Sequence, residues 1–189
     1  MSAVSTDARE RLIAELREHA LVIGEVTLTS GAKGQYLVDA KRAILLPAGF
    51  AALGELVAGE ARDVGATAVG GLTMGADPIA CAALAGGFDG KAFFVRKEIK
   101  QHGLSRSIEG PVLEPDDRCL IVEDVVTTGG STIKAIERVR DAGHPIAGVV
   151  AILDRLAGGG EAIQSAIGDA PYVALTTIDD VYPERPDRP

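Results

Sequence analysis

The sequence predicts an α/β protein with a central, mainly parallel sheet flanked by helices and a small N-terminal hood made of a helix and short strands. From about residue 66 onward, apolar segments of strand length alternate with segments of helical periodicity. Most of these strand segments are apolar throughout, as is typical of parallel strands covered on both faces. Glycine-rich or charged loops follow four of them, after Gly70, Val95, Val122 and Leu153. Because ligands bind at the carboxyl ends of such strands, these loops are expected to converge on one pocket.

An amphipathic helix is predicted over residues 5–20, at the start of the hood. Leu12, Ile13 and Leu16 form its apolar stripe, and Arg and Glu residues occupy the other face. Alternating apolar residues then flank the turn SGAKG, which predicts a β-hairpin or a pair of short strands. Because this segment precedes the alternating strands and helices, we expect it to form a cap over them.

The core elements follow in order. Pro47 begins a predicted helix that reaches about Val64, and Gly65 ends it. A long polar stretch, 98–114, shows no clear periodicity and indicates a lid or a binding loop. The other segments are predicted as strands at 66–71, 91–97, 119–123, 146–155 and 172–178, and as helices at 78–84, 131–142 and 158–168.

The length of 189 residues is suited to one domain with a substantial core. We interpret residues 1–182 as a single domain, with the hood over about 1–45 and the core over about 46–182. The tail 183–189, PERPDRP, is rich in proline and charge and is predicted to be disordered.

Charge and composition exclude some classes of function. The net charge of −8 argues against general nucleic-acid binding by long-range attraction. No apolar run is long enough to span a membrane, and the N-terminus lacks the apolar region of a signal peptide. Cys81 and Cys119 fit no metal or redox spacing, so both are predicted to be buried thiols, as in a reducing cytosol.

The segment Cys119–Thr132, CLIVEDVVTTGGST, carries the most specific signal in the chain. Its apolar strand ends in Glu123 and Asp124, and a loop of Thr, Gly and Ser, 127–131, leads into a helix. Such a loop at a helix N-terminus is suited to a phosphate, and the acids are suited to ribose hydroxyls or to a metal that holds phosphates. Together they indicate a site for a phosphorylated ribose; an ordinary strand-to-helix turn is the alternative. The segment matches neither a Walker A loop nor a GxGxxG dinucleotide turn.

A second signal is a run of potentially cationic residues directly after a buried strand, namely Arg96, Lys97, Lys100 and His102. In an acidic protein these residues provide a local anion site, because Arg binds phosphate in a bidentate manner and Lys acts as a mobile point charge. The alternative is a solvated loop with incidental charge.

Two weaker signals leave their alternatives open. The loop 70–77, GGLTMGAD, either presents backbone amides to pyrophosphate or makes a tight turn before a helix. Asp154 and Arg155 end a buried strand, where Asp either fixes Arg by a salt bridge so that Arg can bind a carboxylate, or forms a surface ion pair with it.

The segment LIVEDVVTTGGS resembles the phosphoribosyl-diphosphate (PRPP) motif of type I phosphoribosyltransferases. Over most of its length the chain further resembles the orotate phosphoribosyltransferases, through GEVTLTSGAKGQYLVDAKR, AVGGLTMGADPIA, FVRKEIKQHG and LDRLAGGGEAI. The element FVRKEIKQHG distinguishes the orotate enzymes from the purine phosphoribosyltransferases, which lack it. The resemblance implies the type I phosphoribosyltransferase fold.

The resemblance also implies an activity: a cytoplasmic glycosyltransferase that moves the 5-phosphoribosyl group from PRPP to orotate in de novo UMP biosynthesis. It implies Mg²⁺ held mainly through PRPP, with no directly certain protein ligand, and small-molecule partners rather than nucleic acid or membrane. It implies a homodimer in which the 98–113 loop is shared across subunits. The implied catalytic residues are Lys100, Asp124 and Glu123, and the implied orotate-binding residues are Thr127 and Arg155. The implied PRPP-binding residues are Arg96, Lys97, Lys100, His102, Glu123, Asp124, Val125, Val126, Thr127, Thr128, Gly129, Gly130 and Ser131.

The sequence departs from the family pattern at two positions. Thr29 and Met74 stand where many members have lysine, and Lys33 or Arg42 are candidates to supply the missing charge. Two other functions stay open: phosphoribosyl transfer to another base, and a non-catalytic regulator that uses the fold to sense a nucleotide. The basic element argues against the first, and the retained loop lysine and acid pair argue against the second.

Overall fold

The computed structural model of the protein describes residues 3–27, 33–98 and 107–188. Its hood begins with helix α1 (Ala3–Glu15), which continues into a π-helical turn (Leu16–Ala20). Strands β1 (Leu21–Thr27) and β2 (Lys33–Val38) then pair antiparallel in a separate two-stranded sheet. The predicted helix and pair of short strands are therefore confirmed.

The core alternates strands and helices as the sequence predicts. The short helix α2 (Lys41–Ile44) belongs to the hood. The helices of the core are α3 (Pro47–Asp63), α4 (Asp77–Ala85), α5 (Gly130–Asp141), α6 (Gly159–Ile167) and α7 (Ile178–Val181). Its strands are β3 (Ala68–Leu72), β4 (Lys91–Val95), β5 (Ile108–Glu109), β6 (Cys119–Val126), β7 (Ile146–Asp154) and β8 (Tyr172–Thr177).

The core strands form one six-stranded sheet in the order β5-β4-β3-β6-β7-β8. The pairs β4–β3, β3–β6, β6–β7 and β7–β8 are parallel, and only the short edge strand β5 runs antiparallel to its neighbour. The predicted α/β class with a mainly parallel sheet is confirmed. Strand order reverses between β3 and β6, so the crevice at their carboxyl ends is the expected ligand site.

Alternate residues of β6 show how the sheet is covered on both faces. Leu120 and Val122 pack in one apolar cluster with Leu53 of α3, whereas Ile121 packs in the other with Ile136 of α5. A strand buried on both faces requires apolar residues at consecutive positions, which is the pattern seen in the sequence.

Three short elements have no counterpart in the predictions. They are α2, β5 and α7, which have four, two and four residues. Such lengths contain too little of a helical or strand period to be recognised. Within the described residues, the helices are too short or too polar to cross a membrane.

The prediction of two buried thiols is wrong for Cys81. Cys119 is buried in β6, where burial raises the pKa of its thiol to about 12. Cys81 is exposed, because it lies on the outer face of α4 while Ala80, Ala82 and Ala83 are buried. In a helix rich in alanine, composition did not distinguish the two faces.

The carboxyl-terminal segment, for which composition predicts disorder, is described as far as residue 188 and contacts the rest of the protein at Arg185 and Asp187. Arg185 is buried and forms ion pairs with Asp179 and Asp187. Arg9 of the hood is bonded to Asp180 at 2.8 Å, so α1 and the carboxyl-terminal region are joined.

Candidate active site

The acid pair lies at the end of β6, beside the crevice between β3 and β6. Glu123 is 6% exposed, and one of its carboxyl oxygens accepts a hydrogen bond from the Thr132 hydroxyl at 3.0 Å. Burial, and after it the neighbouring Asp124, raise the pKa of Glu123 to about 8. Glu123 therefore keeps its proton to a higher pH than an exposed glutamate does.

This shift makes stability depend on pH. Since the pKa of Glu123 rises from 4.5 to about 8 on folding, the folded state binds more protons between these values. The free energy of unfolding therefore falls as pH rises through this window, by at most about 1.4 kcal/mol per unit from this group. Glu123→Gln cannot ionise, so we expect urea unfolding from pH 5 to 8 to show a shallower decline than in the wild type. The exposed residue Glu137 provides a control, and Glu137→Gln is expected to keep the wild-type slope. Equal slopes in all three proteins would contradict the assignment.

Asp124 points to a different set of partners. Its carboxylate lies 2.9 Å from the Lys41 ammonium and accepts a hydrogen bond from the amide of Val125 at 2.9 Å. The same ammonium lies 2.9 Å from a carboxylate oxygen of Asp39, as an ion pair without hydrogen-bond geometry. Although burial opposes it, the two carboxylates raise the pKa of Lys41, so this cation keeps its charge.

The loop after β3 lies next to the Asp124 carboxylate. A Cβ atom at Gly75 would lie 2.5 Å from an Asp124 oxygen, so only glycine leaves room for the carboxylate. The loop contains a cis peptide bond between Thr73 and Met74, and the Met74 side chain is exposed. The glycine loop 70–77 thus borders the acid pair as well as preceding a helix.

The loop 127–131 presents its polar groups outward. Thr127, Thr128 and Ser131 are exposed, and Gly129 has a φ of +79°, which favours glycine. The amide of Ile133 bonds to the carbonyl of Gly129 at 2.9 Å, so the preceding amides of α5 have no carbonyl acceptor within the helix. They lie at the positive end of the helix dipole, which favours an anion.

The loop 127–131 is packed against the start of α6. A Cβ atom at Gly159 would lie 2.5 Å from the carbonyl oxygen of Thr127, and one at Gly129 would lie 2.9 Å from the carbonyl oxygen of Gly159. The start of α6 therefore packs directly against the loop before α5, and both contacts require glycine.

The predicted basic run is only partly described. The Arg96 guanidinium is paired with Glu109 of β5 at 2.5 Å. Lys97 is exposed and lines a cavity of about 440 Å³ together with Gly130, Ser131 and Lys134. Lys100 and His102 lie outside the described residues, as does the rest of the segment 99–106 within the 98–113 loop.

Arg155 is brought to the same end of the sheet. Its amide bonds to the carbonyl of Val126 at 2.9 Å, which places it beside Thr127. Its guanidinium donates to the Tyr36 hydroxyl at 2.8 Å and lies over the Tyr36 ring, 4.8 Å from the centroid. Asp154 instead accepts hydrogen bonds from the Leu156 amide and the Tyr172 hydroxyl, so Asp154 and Arg155 do not pair.

The residues considered as replacements for missing lysines differ in position. Lys33 lines a cavity of about 350 Å³ next to Tyr36 and Arg155, and its ammonium lies 2.6 Å from Glu25. Arg42 is exposed, and Thr29 lies outside the described residues.

Three polar side chains at this site were not identified from the sequence: Lys41, Tyr36 and Lys134. Lys41 and Tyr36 belong to the hood and join the core through contacts between residues 83 and 119 positions apart. Lys134 follows Ser131 by three positions on α5, so its presence at the loop is a consequence of helical spacing.

Comparison with known proteins shows the same organisation. Residues 46–167 match the phosphoribosyl transferase domain. The orotate phosphoribosyltransferase of Corynebacterium glutamicum (strain R) is 42% identical over 181 residues, which cover 95% of this chain and 97% of that protein. The chain belongs to the orotate phosphoribosyltransferase family.

Solved structures of this family have the same fold. A crystal structure of the Mycobacterium tuberculosis H37Rv orotate phosphoribosyltransferase with Fe(III) dicitrate is 38% identical, with a TM-score of 0.82. It covers 93% of this chain and 99% of that one. A crystal structure of the same enzyme with PRPP is 35% identical, with a TM-score of 0.77 and coverage of 92% and 98%. The family resemblance of the sequence is therefore confirmed, as is the predicted type I phosphoribosyltransferase fold.

Proposed function

We propose that this protein transfers the 5-phosphoribosyl group of PRPP to N1 of orotate, giving orotidine 5′-phosphate and pyrophosphate in de novo UMP synthesis. The observation that carries the proposal is the arrangement at the end of β6. An acid pair, a phosphate loop at a helix N-terminus and Arg155 lie along one continuous edge of the sheet. This arrangement and the family membership support the same reaction.

The chemistry assigns each part a role. The bond from C1 of the ribose to pyrophosphate breaks with its electron pair on the leaving group. N1 of orotate bonds to C1, and its proton passes to the pyrophosphate that leaves. The loop 127–131 holds the 5′-phosphate through its amides and hydroxyls. Glu123 and Asp124 hold the ribose hydroxyls, and the charge of Asp124 favours the positive charge that develops on the ring.

The pyrophosphate side of the site is cationic. Lys97 and Lys134 line one cavity with the loop residues Gly130 and Ser131, and Glu98 is the single acid in that lining. Arg96 is available to the leaving group once it exchanges Glu109 for phosphate oxygens, and Lys100 and His102 complete the set in this proposal. Charge on the leaving group grows in the transition state, so these cations accelerate the step rather than only binding the substrate.

Magnesium suits this site as an ion held mainly by the oxygens of PRPP. Among the described residues, no group of three or more His, Cys, Asp or Glu side chains is placed to hold a metal. Glu123 and Asp124 offer the carboxylate oxygens that Mg²⁺ accepts, alongside those of the substrate. When bound, the ion neutralises diphosphate charge.

A shared lid and a homodimer are also part of the proposal. Leu45, Leu46 and Met74 are exposed apolar side chains of the kind that subunit contacts cover. In the dimer, the 98–113 loop supplies Lys100 and His102 to the neighbouring site and excludes water during the reaction. The free cysteines are consistent with a cytoplasmic location.

The direct test is an assay with PRPP, Mg²⁺ and orotate that follows the loss of orotate absorbance. We expect turnover with orotate and little with adenine, guanine or uracil. Turnover of a purine without turnover of orotate would overturn the proposal, and PRPP binding without any turnover would indicate a regulator.

Lys41 provides a test of how Asp124 is positioned. Lys41→Met keeps most of the aliphatic chain but removes the ion pair, so Asp124 is held less firmly and kcat is expected to fall about 10-fold. Lys41→Arg restores the charge and is expected to recover most of the rate. A rate for Lys41→Met equal to that of the wild type would show that the ion pair has no role in the reaction.

A further inference from the structure

A carboxylate from the carboxyl-terminal segment lies at Tyr36 and Arg155. The Tyr36 hydroxyl is 3.1 Å and 3.0 Å from the two carboxylate oxygens of Asp187. The nearest Asp187 oxygen is 3.8 Å from the Arg155 guanidinium, within ion-pair range but too far for a direct hydrogen bond. Asp187 and Pro186 form one wall of the cavity of about 350 Å³ that Arg155 and Lys33 also line.

Tyr36 is held rigidly in this position. Its side chain is 4% exposed, and its ring meets the Tyr182 ring edge-on, with centroids 5.4 Å apart. The Arg155 guanidinium stacks on the same ring. Fixed aromatic contacts of this kind restrict the rotation of the side chain, so the hydroxyl points in a defined direction.

The hydroxyl acts as a donor toward the carboxylate. It accepts a hydrogen bond from the guanidinium of Arg155, which leaves its own proton for Asp187. Burial raises the pKa of Tyr36, so the proton is present across the physiological range. The cation polarises the hydroxyl and strengthens its donation.

We propose that Tyr36 joins Arg155, which the family resemblance already assigns to orotate, to complete the subsite for the carboxylate of the acceptor base, and that Asp187 occupies this subsite until the carboxylate of orotate displaces it. The proposal rests on the function proposed above. It adds Tyr36 as a specificity-determining residue and identifies the carboxyl-terminal segment as an internal competitor.

The position of the Tyr36–Arg155 subsite suits the base that receives the phosphoribosyl group better than it suits a phosphate. Arg155 is attached through its amide to the end of β6, next to Thr127, and the cavity that it lines shares no lining residue with the cavity lined by Lys97. One hydroxyl donor and one planar guanidinium suit a planar carboxylate. The guanidinium Nε is buried and makes no hydrogen bond within the described residues, so it has unused capacity for a carboxylate that approaches more closely than Asp187 does.

Occupation by Asp187 is weak enough to be reversed. Its side chain is 55% exposed, and its ion pairs with Arg155 at 3.8 Å and with Arg185 at 3.3 Å are both longer than a usual N–H···O hydrogen bond. Because the competitor belongs to the same chain, it lowers the fraction of binding-competent protein and raises the apparent KM for orotate by the same factor.

The test uses the full chain and compares Tyr36→Phe, Asp187→Ala and the double variant. Tyr36→Phe keeps the ring under Arg155 but removes the hydroxyl, and is expected to raise the KM for orotate about 10-fold while leaving that for PRPP unchanged. Asp187→Ala is expected to lower the KM for orotate about 3-fold. In the Tyr36→Phe background the effect of Asp187→Ala on the KM is expected to be smaller, because Asp187 has already lost its hydrogen bond to the Tyr36 hydroxyl. Glu184→Gln removes an exposed acid from the same segment and is expected to match the wild type.

The possible results distinguish failure of the subsite proposal from failure of the proposed function. Failure of the wild type to use orotate overturns the function proposed above. Turnover of orotate with an unchanged KM in both single variants overturns the subsite alone. Equal rises in the KM for orotate and PRPP in Tyr36→Phe show a general structural role and also overturn it. Circular dichroism and the thermal midpoint of each variant confirm that the fold is retained.

Discussion

Asp124→Asn is expected to lower kcat for orotate and PRPP by about 100-fold or more while leaving the protein folded. The substitution keeps the size of the side chain and its oxygen acceptor toward the Val125 amide. In the proposed reaction, it removes the negative charge that faces the developing positive charge of the ribose. An electrostatic group that acts mainly in the transition state changes kcat more than it changes KM.

The measurement is initial rate against PRPP and orotate, with the thermal midpoint recorded in parallel. Asp116→Asn serves as the matched control, because Asp116 is an exposed acid with the same chemistry. We expect it to retain the wild-type rate. A kcat for Asp124→Asn within about 3-fold of the wild type would falsify the role of this carboxylate in the reaction.

Comparison with Lys41→Met separates charge from position. Lys41 is paired with Asp124 at 2.9 Å, so its loss leaves the carboxylate charged but less restrained. The expected loss of about 10-fold is smaller than that of Asp124→Asn, because the charge itself remains. If the two losses were equal, orientation would account for the whole effect.

Most of the fold could be predicted because each central strand is buried on both faces. β3 is buried at all five positions, and its apolar run is visible in the sequence without any contact information. Glycine and proline marked the helix ends, as at Pro47 and Gly65. The short edge strand β5 could not be predicted, since two residues carry no period.

The residues of the candidate site could likewise be predicted only in part. The acid pair and the phosphate loop are contiguous in sequence, so a single motif predicted both. Lys41 and Tyr36 are polar residues of the hood whose partners, Asp124 and Arg155, lie 83 and 119 positions away. Local sequence does not reveal such pairs, because tertiary packing alone brings them together.

Adjacency in sequence also misled in one place. Asp154 and Arg155 are neighbours, and both open interpretations joined them in an ion pair. Successive residues of an extended chain point to opposite sides, so Asp154 turns to Tyr172 and Arg155 turns to Tyr36. The arginine is therefore held by an aromatic ring and a hydroxyl rather than by the neighbouring carboxylate.

Gly71→Ala is expected to destabilise the protein by about 3 kcal/mol, the upper part of the range for overpacking in a core. A Cβ atom at Gly71 would lie 2.2 Å from the carbonyl oxygen of Val122 and 2.7 Å from the Cβ of Ala76. The first contact is with backbone, which cannot rotate away as a side chain can. Relief of the contact requires β3 and β6 to move apart.

The matched control is Gly59→Ala in helix α3, where an added Cβ would meet nothing within 4 Å. Because alanine favours a helix interior over glycine, this variant is expected to gain up to about 1 kcal/mol. Urea unfolding of both variants measures the two changes. Since Val122 directly precedes Glu123, any Gly71→Ala protein that folds must shift the acid pair, so its kcat is expected to fall as well. Wild-type stability and kcat in Gly71→Ala would show that the sheet accommodates the methyl group without moving the site.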